Sequence, residues 1–72
     1  MMNNHVLRSL RYALDLDDAT MGKIFQLADF SVDHADMINM LRKEEEPNFL
    51  ECSDRTMTCF LDGFIIYQRG VS

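Results

Sequence analysis

Histidine, cysteine and serine are the residue types in this chain that could bind a metal ion or act as a nucleophile. His5 and His34 fall on different predicted helices, and neither belongs to the HxxxH or HExxH pairs that place metal ligands on one helix face. Cys52 and Cys59 do not have CxxC spacing, and no serine lies in a G-x-S-x-G frame. The sequence therefore predicts no metal site, no cofactor and no catalytic residue.

The acidic run Glu44–Glu46 is the densest group of possible cation ligands. It lacks the glycine and the alternating oxygen ligands of a calcium loop. We interpret it as solvated charge that can pair with Arg42 and Lys43. A chain of 72 residues seldom builds both a core and an enclosed reaction pocket. We therefore expect that the protein is not an enzyme, and no small-molecule ligand can be identified.

Charge and segment composition narrow the choice of partners and compartment. Twelve acidic and seven basic residues give a formal charge of −5, which repels phosphate backbones and makes nucleic acid an unexpected partner. The N-terminus lacks the pattern of a signal peptide, and the apolar run Phe64–Tyr67 is too short to span a bilayer. Two cysteines without a disulfide pattern suit a reducing compartment. We expect a cytoplasmic protein that does not engage a membrane.

The elements that would position any site are helices, because apolar residues recur at helical spacing and no strand hairpin is indicated. A first helix is predicted at residues 4–14, with Asn3 or Asn4 as its N-cap. A second helix follows Asp17, which is a good N-cap, and Asp18 lies in its first turn, where negative charge is favourable.

Residues typical of turns and caps mark where the other two predicted helices begin and end. Asp29 tolerates a left-handed backbone, and Ser31 can cap a third helix at about residues 32–43. Ser53 can cap the fourth helix, which is the longest, and Gly70 is a natural stop at its end.

Residues 1–72 are thus expected to form a single all-α domain, a compact bundle of four short helices with a long hydrophobic C-terminal helix. A domain of this size buries only about 60% of the surface of its unfolded chain, so its margin of stability is thin. The predicted core consists of Leu10, Phe25, Ile38, Leu41, Phe60, Leu61, Phe64 and Ile65.

The segment Met57–Tyr67 has apolar side chains on almost every face of its predicted helix. Such a helix must be enclosed by other helices or by a second chain. We therefore predict a homodimer interface on this helix, formed by Cys59, Phe60, Gly63, Ile66 and Tyr67.

Gly63 lies inside the fourth predicted helix, where glycine costs about 1 kcal/mol relative to alanine. A glycine at such a position indicates that another group approaches the helix closely. Two interpretations stay open. Phe25 or Tyr12 of the same chain rests over the glycine, or a helix of a second chain crosses there.

Three blocks of the sequence, Leu7–Leu16, Leu41–Phe49 and Phe60–Gly70, have the order and spacing of corresponding blocks in one known family. The chain resembles, from about Asn3 to Gly70, the YehS-like family of uncharacterised bacterial cytoplasmic proteins. This resemblance implies an all-helical unit of unknown activity, with no catalytic residue to carry over. It also implies that family members contain two tandem copies of the unit, each able to shelter the apolar face of the other. A homodimer of this chain could supply the same shelter.

The segment Ala28–Ser31 is similar to the A-G-V-S turn of many helix-turn-helix repressors. Asp29 stands at the glycine position, however, and the following helix would turn Asp33 and Asp36 toward DNA. Only Asn39 on that helix is a good reader of base edges.

The leading prediction is a small cytosolic protein-interaction module of otherwise unknown function that associates with itself. A helix-turn-helix DNA-binding or transcription-associated domain is the alternative.

Overall fold

The structure is a computed structural model that describes residues 2–70, and all of its regular elements in that range are α-helices. The helices are α1 (Asn3–Ala13), α2 (Asp18–Leu27), α3 (His34–Met40) and α4 (Asp54–Arg69). They form one bundle, and α4 is its longest member with 16 residues. The predicted all-α fold is confirmed.

Two helix starts follow from local side-chain capping. The Asp17 carboxylate accepts a hydrogen bond from the backbone N–H of Thr20 at 2.8 Å, and the Ser53 hydroxyl accepts one from Thr56 N–H at 3.1 Å. Each bond satisfies one of the N–H groups that the first turn of a helix leaves without a partner. Asp29 has a φ of 57°, so the left-handed break expected after α2 is present.

The other two helix starts differ from the prediction. Met2 occupies the N-cap of α1, and Asn3 and Asn4 lie inside the helix. Asp33 rather than Ser31 precedes α3, and its side chain makes no capping bond. Neither start has a side-chain cap, and α1 instead begins where Asn3 and Asn4 bond to distant parts of the chain.

Asn4 is buried and ties α1 to the end of α3 and to the connection that leads to α4. Its Nδ2 donates to the carbonyl oxygens of Met40 at 2.9 Å and Leu50 at 2.8 Å. Its Oδ1 accepts from the backbone N–H of Cys52 at 2.8 Å. One amide side chain thus satisfies three backbone groups, which would otherwise be left unpaired beside the core.

Helices α2 and α4 share the most extensive helix–helix contact in the described part of the chain. A methyl group placed on Gly63 would overlap the carbonyl oxygen of Ile24 and lie 2.9 Å from its carbonyl carbon. Beside this contact the rings of Phe25 and Phe60 pack with their centroids 5.2 Å apart, and both side chains are fully buried. The close approach at Gly63 is therefore within one chain, and its partner is the backbone of α2.

The buried apolar core differs in part from the predicted one. It consists of Leu7, Leu16, Met21, Ile24, Phe25, Met37, Met40, Cys52, Met57 and Phe60. Leu10, Ile38, Leu41 and Phe64 are partly buried against it. Leu61 and Ile65, which were expected in the core, are 43% and 50% exposed. Helix α2, with a smaller contribution from α1, covers one side of α4 and leaves these two residues on the other side. Four methionines, Met21, Met37, Met40 and Met57, belong to the buried core instead.

Candidate functional site

The residues with catalytic potential do not converge in the structure. His5 and His34 are both exposed, and residues 2–70 contain no group of three or more histidine, cysteine or acidic side chains placed to hold a metal ion. Cys52 is a buried free thiol, and Cys59 is a half-buried one. Burial, followed by the negative charge of Asp54, raises the pKa of the Cys52 thiol. Cys52 thus stays protonated near neutral pH and is a poor nucleophile.

The acidic connection has a structural role. Arg42 and Glu46 form an ion pair at 3.7 Å, and Glu46 Oε1 accepts a hydrogen bond from the backbone N–H of Lys43 at 2.8 Å. Arg8 of α1 donates to the carbonyl oxygen of Arg42 at 3.0 Å. These bonds fold the connection back onto α1 and leave Glu44 exposed.

A groove of about 430 Å³ lies between α2 and α3. Its ionisable lining groups are Asp18, Lys23 and His34. Asp18 is already paired with Arg11 at 3.1 Å, and the other two residues are exposed. A ligand site fixes orientation with polar groups that converge on one point, and these three do not form such a set.

The helix-turn-helix alternative rests on α2 and α3. Residues 28–33 separate the two helices, whereas a helix-turn-helix joins its helices with a turn of about three to four residues. The side-chain oxygen of Asn39 accepts a hydrogen bond from Arg42 Nε at 3.0 Å, so this acceptor already has a partner within the chain. Asp33 and Asp36 are exposed on the surface that would face DNA.

One side of α4 exposes large apolar side chains. We define the outer face of α4 as Thr58, Leu61, Asp62, Ile65 and Arg69, which follow helical spacing and are all exposed. At its centre Leu61 and Ile65 are one helical turn apart, so their exposed parts form a continuous apolar surface. Asp62 and Arg69 place one negative and one positive charge along the same face.

The structure divides the five residues of the predicted interface. Phe60 and Gly63 are covered by α2 of the same chain and are not available to a second chain. Cys59 is half-buried, and Ile66 and Tyr67 are 40% and 36% exposed. The Tyr67 ring stacks on Phe64 with centroids 6.3 Å apart, at the end of α4.

The sequence prediction assigned Leu61 and Ile65 to the core, whereas the structure exposes both on the outer face of α4. A signal for their position exists in the sequence, because both share a helix face with Thr58, Asp62 and Arg69. That face carries most of the polar residues in the second half of α4.

None of the helices within residues 2–70 combines the length and the hydropathy needed to cross a membrane.

Comparison with known proteins gives a family but no activity. A family model described as a protein of unknown function (DUF1456) matches residues 3–70. The uncharacterized protein YehS of Escherichia coli strain K12 is 34% identical over 70 residues, which are 97% of this chain and 45% of that protein. The chain therefore spans about half the length of this relative. No solved structure matches the chain.

Proposed function

We propose that this chain, which belongs to the DUF1456 family of proteins of unknown function, is an association module that binds a second copy of itself through the outer face of α4. The family assignment agrees with the resemblance to YehS-like proteins. The observation that carries the proposal is the exposure of Leu61 and Ile65 side by side, at 43% and 50%. Single exposed apolar residues are common on protein surfaces, whereas a pair on one helix face, in a domain this small, favours an interface.

The size of the apolar contact predicts a weak dimer. Full burial of a leucine or isoleucine side chain contributes about 1.5 to 3 kcal/mol, and about half of each side chain is still exposed. The four side chains of a symmetric pair would together contribute about 3 to 6 kcal/mol, whereas a dissociation constant between about 1 mM and 1 µM requires a net of about 4 to 8 kcal/mol, so the rest of the outer face must contribute as well. We therefore expect dimerisation that depends strongly on protein concentration.

The length of the relative supports a second unit as the partner. The aligned segment accounts for 45% of YehS, so that protein has room for one further unit of this size. A tandem copy, as the YehS-like resemblance implies, could cover the outer face of α4 within one chain. A second copy of this chain could cover the same face.

Association is better supported than catalysis or DNA binding. The thiol of Cys52 is buried and protonated, and the oxygen of Asn39 already has a partner in Arg42. The net charge of −5 opposes contact with phosphates. The free cysteines suit a reducing compartment, so we place this association in the cytoplasm.

Sedimentation equilibrium from about 10 µM to about 1 mM tests the proposal, because this range spans the affinities of weak complexes. The unmodified protein should change from monomer to dimer within the range, and Ile65→Gln should remain a monomer. Leu14→Gln is the matched control, since Leu14 is 40% exposed on the C-terminal side of α1 and lies outside the outer face of α4. A monomer at every concentration, or an equal effect of the two substitutions, would contradict the proposal. Retention of duplex DNA that weakens as salt rises would favour the helix-turn-helix alternative.

A further inference from the structure

The outer face of α4 carries its two charges in a definite order. Asp62 lies beside the Leu61–Ile65 pair, and Arg69 lies two helical turns further toward the C-terminus, about 10.5 Å along the axis. Neither side chain forms an ion pair or a hydrogen bond with another residue in the described range 2–70. Both charges are therefore available to a partner that docks on this face.

A parallel arrangement of two α4 helices would not use these charges. Equal positions lie side by side in a parallel symmetric pair, so Asp62 would be level with Asp62 and Arg69 with Arg69. Like charges at one level repel, and the two helix dipoles would also point the same way. An antiparallel arrangement reverses the order of charges on one helix and places each carboxylate near a guanidinium.

We infer that two copies of this chain pair through antiparallel α4 helices, with the two-fold axis close to Ile65 and with Asp62 of each copy beside Arg69 of the other. This inference rests on the proposed function and specifies its geometry. With the axis at Ile65, this residue packs against its own counterpart, and Leu61 lies level with Arg69 of the second copy. Leu61 can then pack on the aliphatic part of that arginine side chain.

The charge pairs give the arrangement its orientation more than its strength, because exposed ion pairs contribute little and are screened by salt. Reversing one charge should nevertheless be visible, since it replaces two attractive pairs of the symmetric dimer by two repulsive ones. We expect Asp62→Arg or Arg69→Asp alone to weaken dimerisation about 3- to 30-fold at low salt. The double substitution should restore it to near the original value, because the pairs are rebuilt with their signs exchanged.

Disulfide cross-linking distinguishes the two orientations directly. In a Cys59→Ser background, Ile65→Cys should cross-link efficiently on mild oxidation, because the two-fold axis brings this position beside itself. Leu61→Cys should not cross-link, since its counterpart lies about 12 Å away along the axis. A disulfide needs Cα atoms within about 7 Å. The background without a new cysteine controls for Cys52, which is buried.

Separate outcomes overturn the orientation and the proposed function. If the unmodified protein dimerises but Leu61→Cys cross-links as readily as Ile65→Cys, the helices are parallel and the inference is wrong. A double charge substitution that fails to recover dimerisation would also contradict it, provided that circular dichroism shows an intact fold. If the unmodified protein stays a monomer up to about 1 mM, the proposed function itself fails.

Discussion

Gly63 of α4 faces the backbone carbonyl of Ile24 in α2 so closely that a single added methyl group would overlap the carbonyl oxygen. The contact brings two helix backbones together without an intervening side chain. It allows Phe25 and Phe60 to meet ring against ring beside it. The packing of the two helices that supply half of the buried core residues therefore depends on a residue with no side chain.

Gly63→Ala should destabilise the fold by about 1 to 3 kcal/mol, because α2 and α4 must move apart to admit the methyl group. This loss should exceed the gain of about 1 kcal/mol that alanine offers in a helix. Gly22→Ala is the matched control, since a methyl group on this α2 residue meets nothing within 4 Å. It should stabilise by up to about 1 kcal/mol. Urea unfolding of both variants measures the difference, and a shift in the same direction for both would contradict the prediction.

Local patterns predicted the elements of this fold well because their causes are local. Asp17 and Ser53 bond to N–H groups three residues away, and the break at Asp29 needs only a residue that tolerates positive φ. The side of α4 that is buried could not be predicted in the same way. Thr58, Asp62 and Arg69 mark one polar face of that helix, but apolar residues occupy most of the other faces, so periodicity does not select which of those lies inward. The close contact of Gly63 with the Ile24 carbonyl is a tertiary contact that the local pattern does not report.

Substitutions on opposite sides of α4 should separate the core from the exposed surface. Phe60→Ala removes a fully buried ring that packs on Phe25, and we expect a loss of about 3 to 5 kcal/mol. Leu61→Ala removes a side chain that is 43% exposed, and the cost for the monomer should be about 1 kcal/mol or less. Thermal unfolding of dilute protein checks both values. Equal losses would show that α4 is buried on both sides.

Asn4→Ala should be among the most damaging polar substitutions, because it leaves two carbonyl groups and one N–H without their partner near the core. A buried polar group left unpaired costs about 1 to 3 kcal/mol, so we expect a total loss of about 2 to 5 kcal/mol. Nothing in the local sequence marks this role, since its partners Met40, Leu50 and Cys52 are far away along the chain.

Asn3→Ala is the control for Asn4, since Asn3 is a half-buried neighbour. Its side-chain amide donates to the carbonyl oxygen of Cys52 at 3.1 Å and to the carboxylate of Asp54 at 2.8 Å. Asn3→Ala should lower the free energy of unfolding by about 0.5 to 1.5 kcal/mol. Urea unfolding and hydrogen exchange at Cys52 test the pair, and protection of the Cys52 amide should fall only when Asn4 is replaced. Equal protection of the Cys52 amide in both variants would show that Asn4 does not hold this amide in place.

Asp17 should make the stability of α2 depend on acid pH. Hydrogen bonds from the side chain and then the backbone of Thr20 lower the pKa of this carboxyl below its ordinary value of 3.8. Its stabilising effect is therefore present above that value and is lost as the pH falls through the lower pKa of the folded state. Asp17→Asn keeps an N-cap acceptor without the titration, so its melting temperature should fall less steeply below pH 3.8. Asp33→Asn is the control for replacing a carboxylate by an amide at a helix N-cap, because the Asp33 side chain makes no capping bond. An unchanged acid slope in Asp17→Asn would show that the cap does not contribute to the acid sensitivity of the fold.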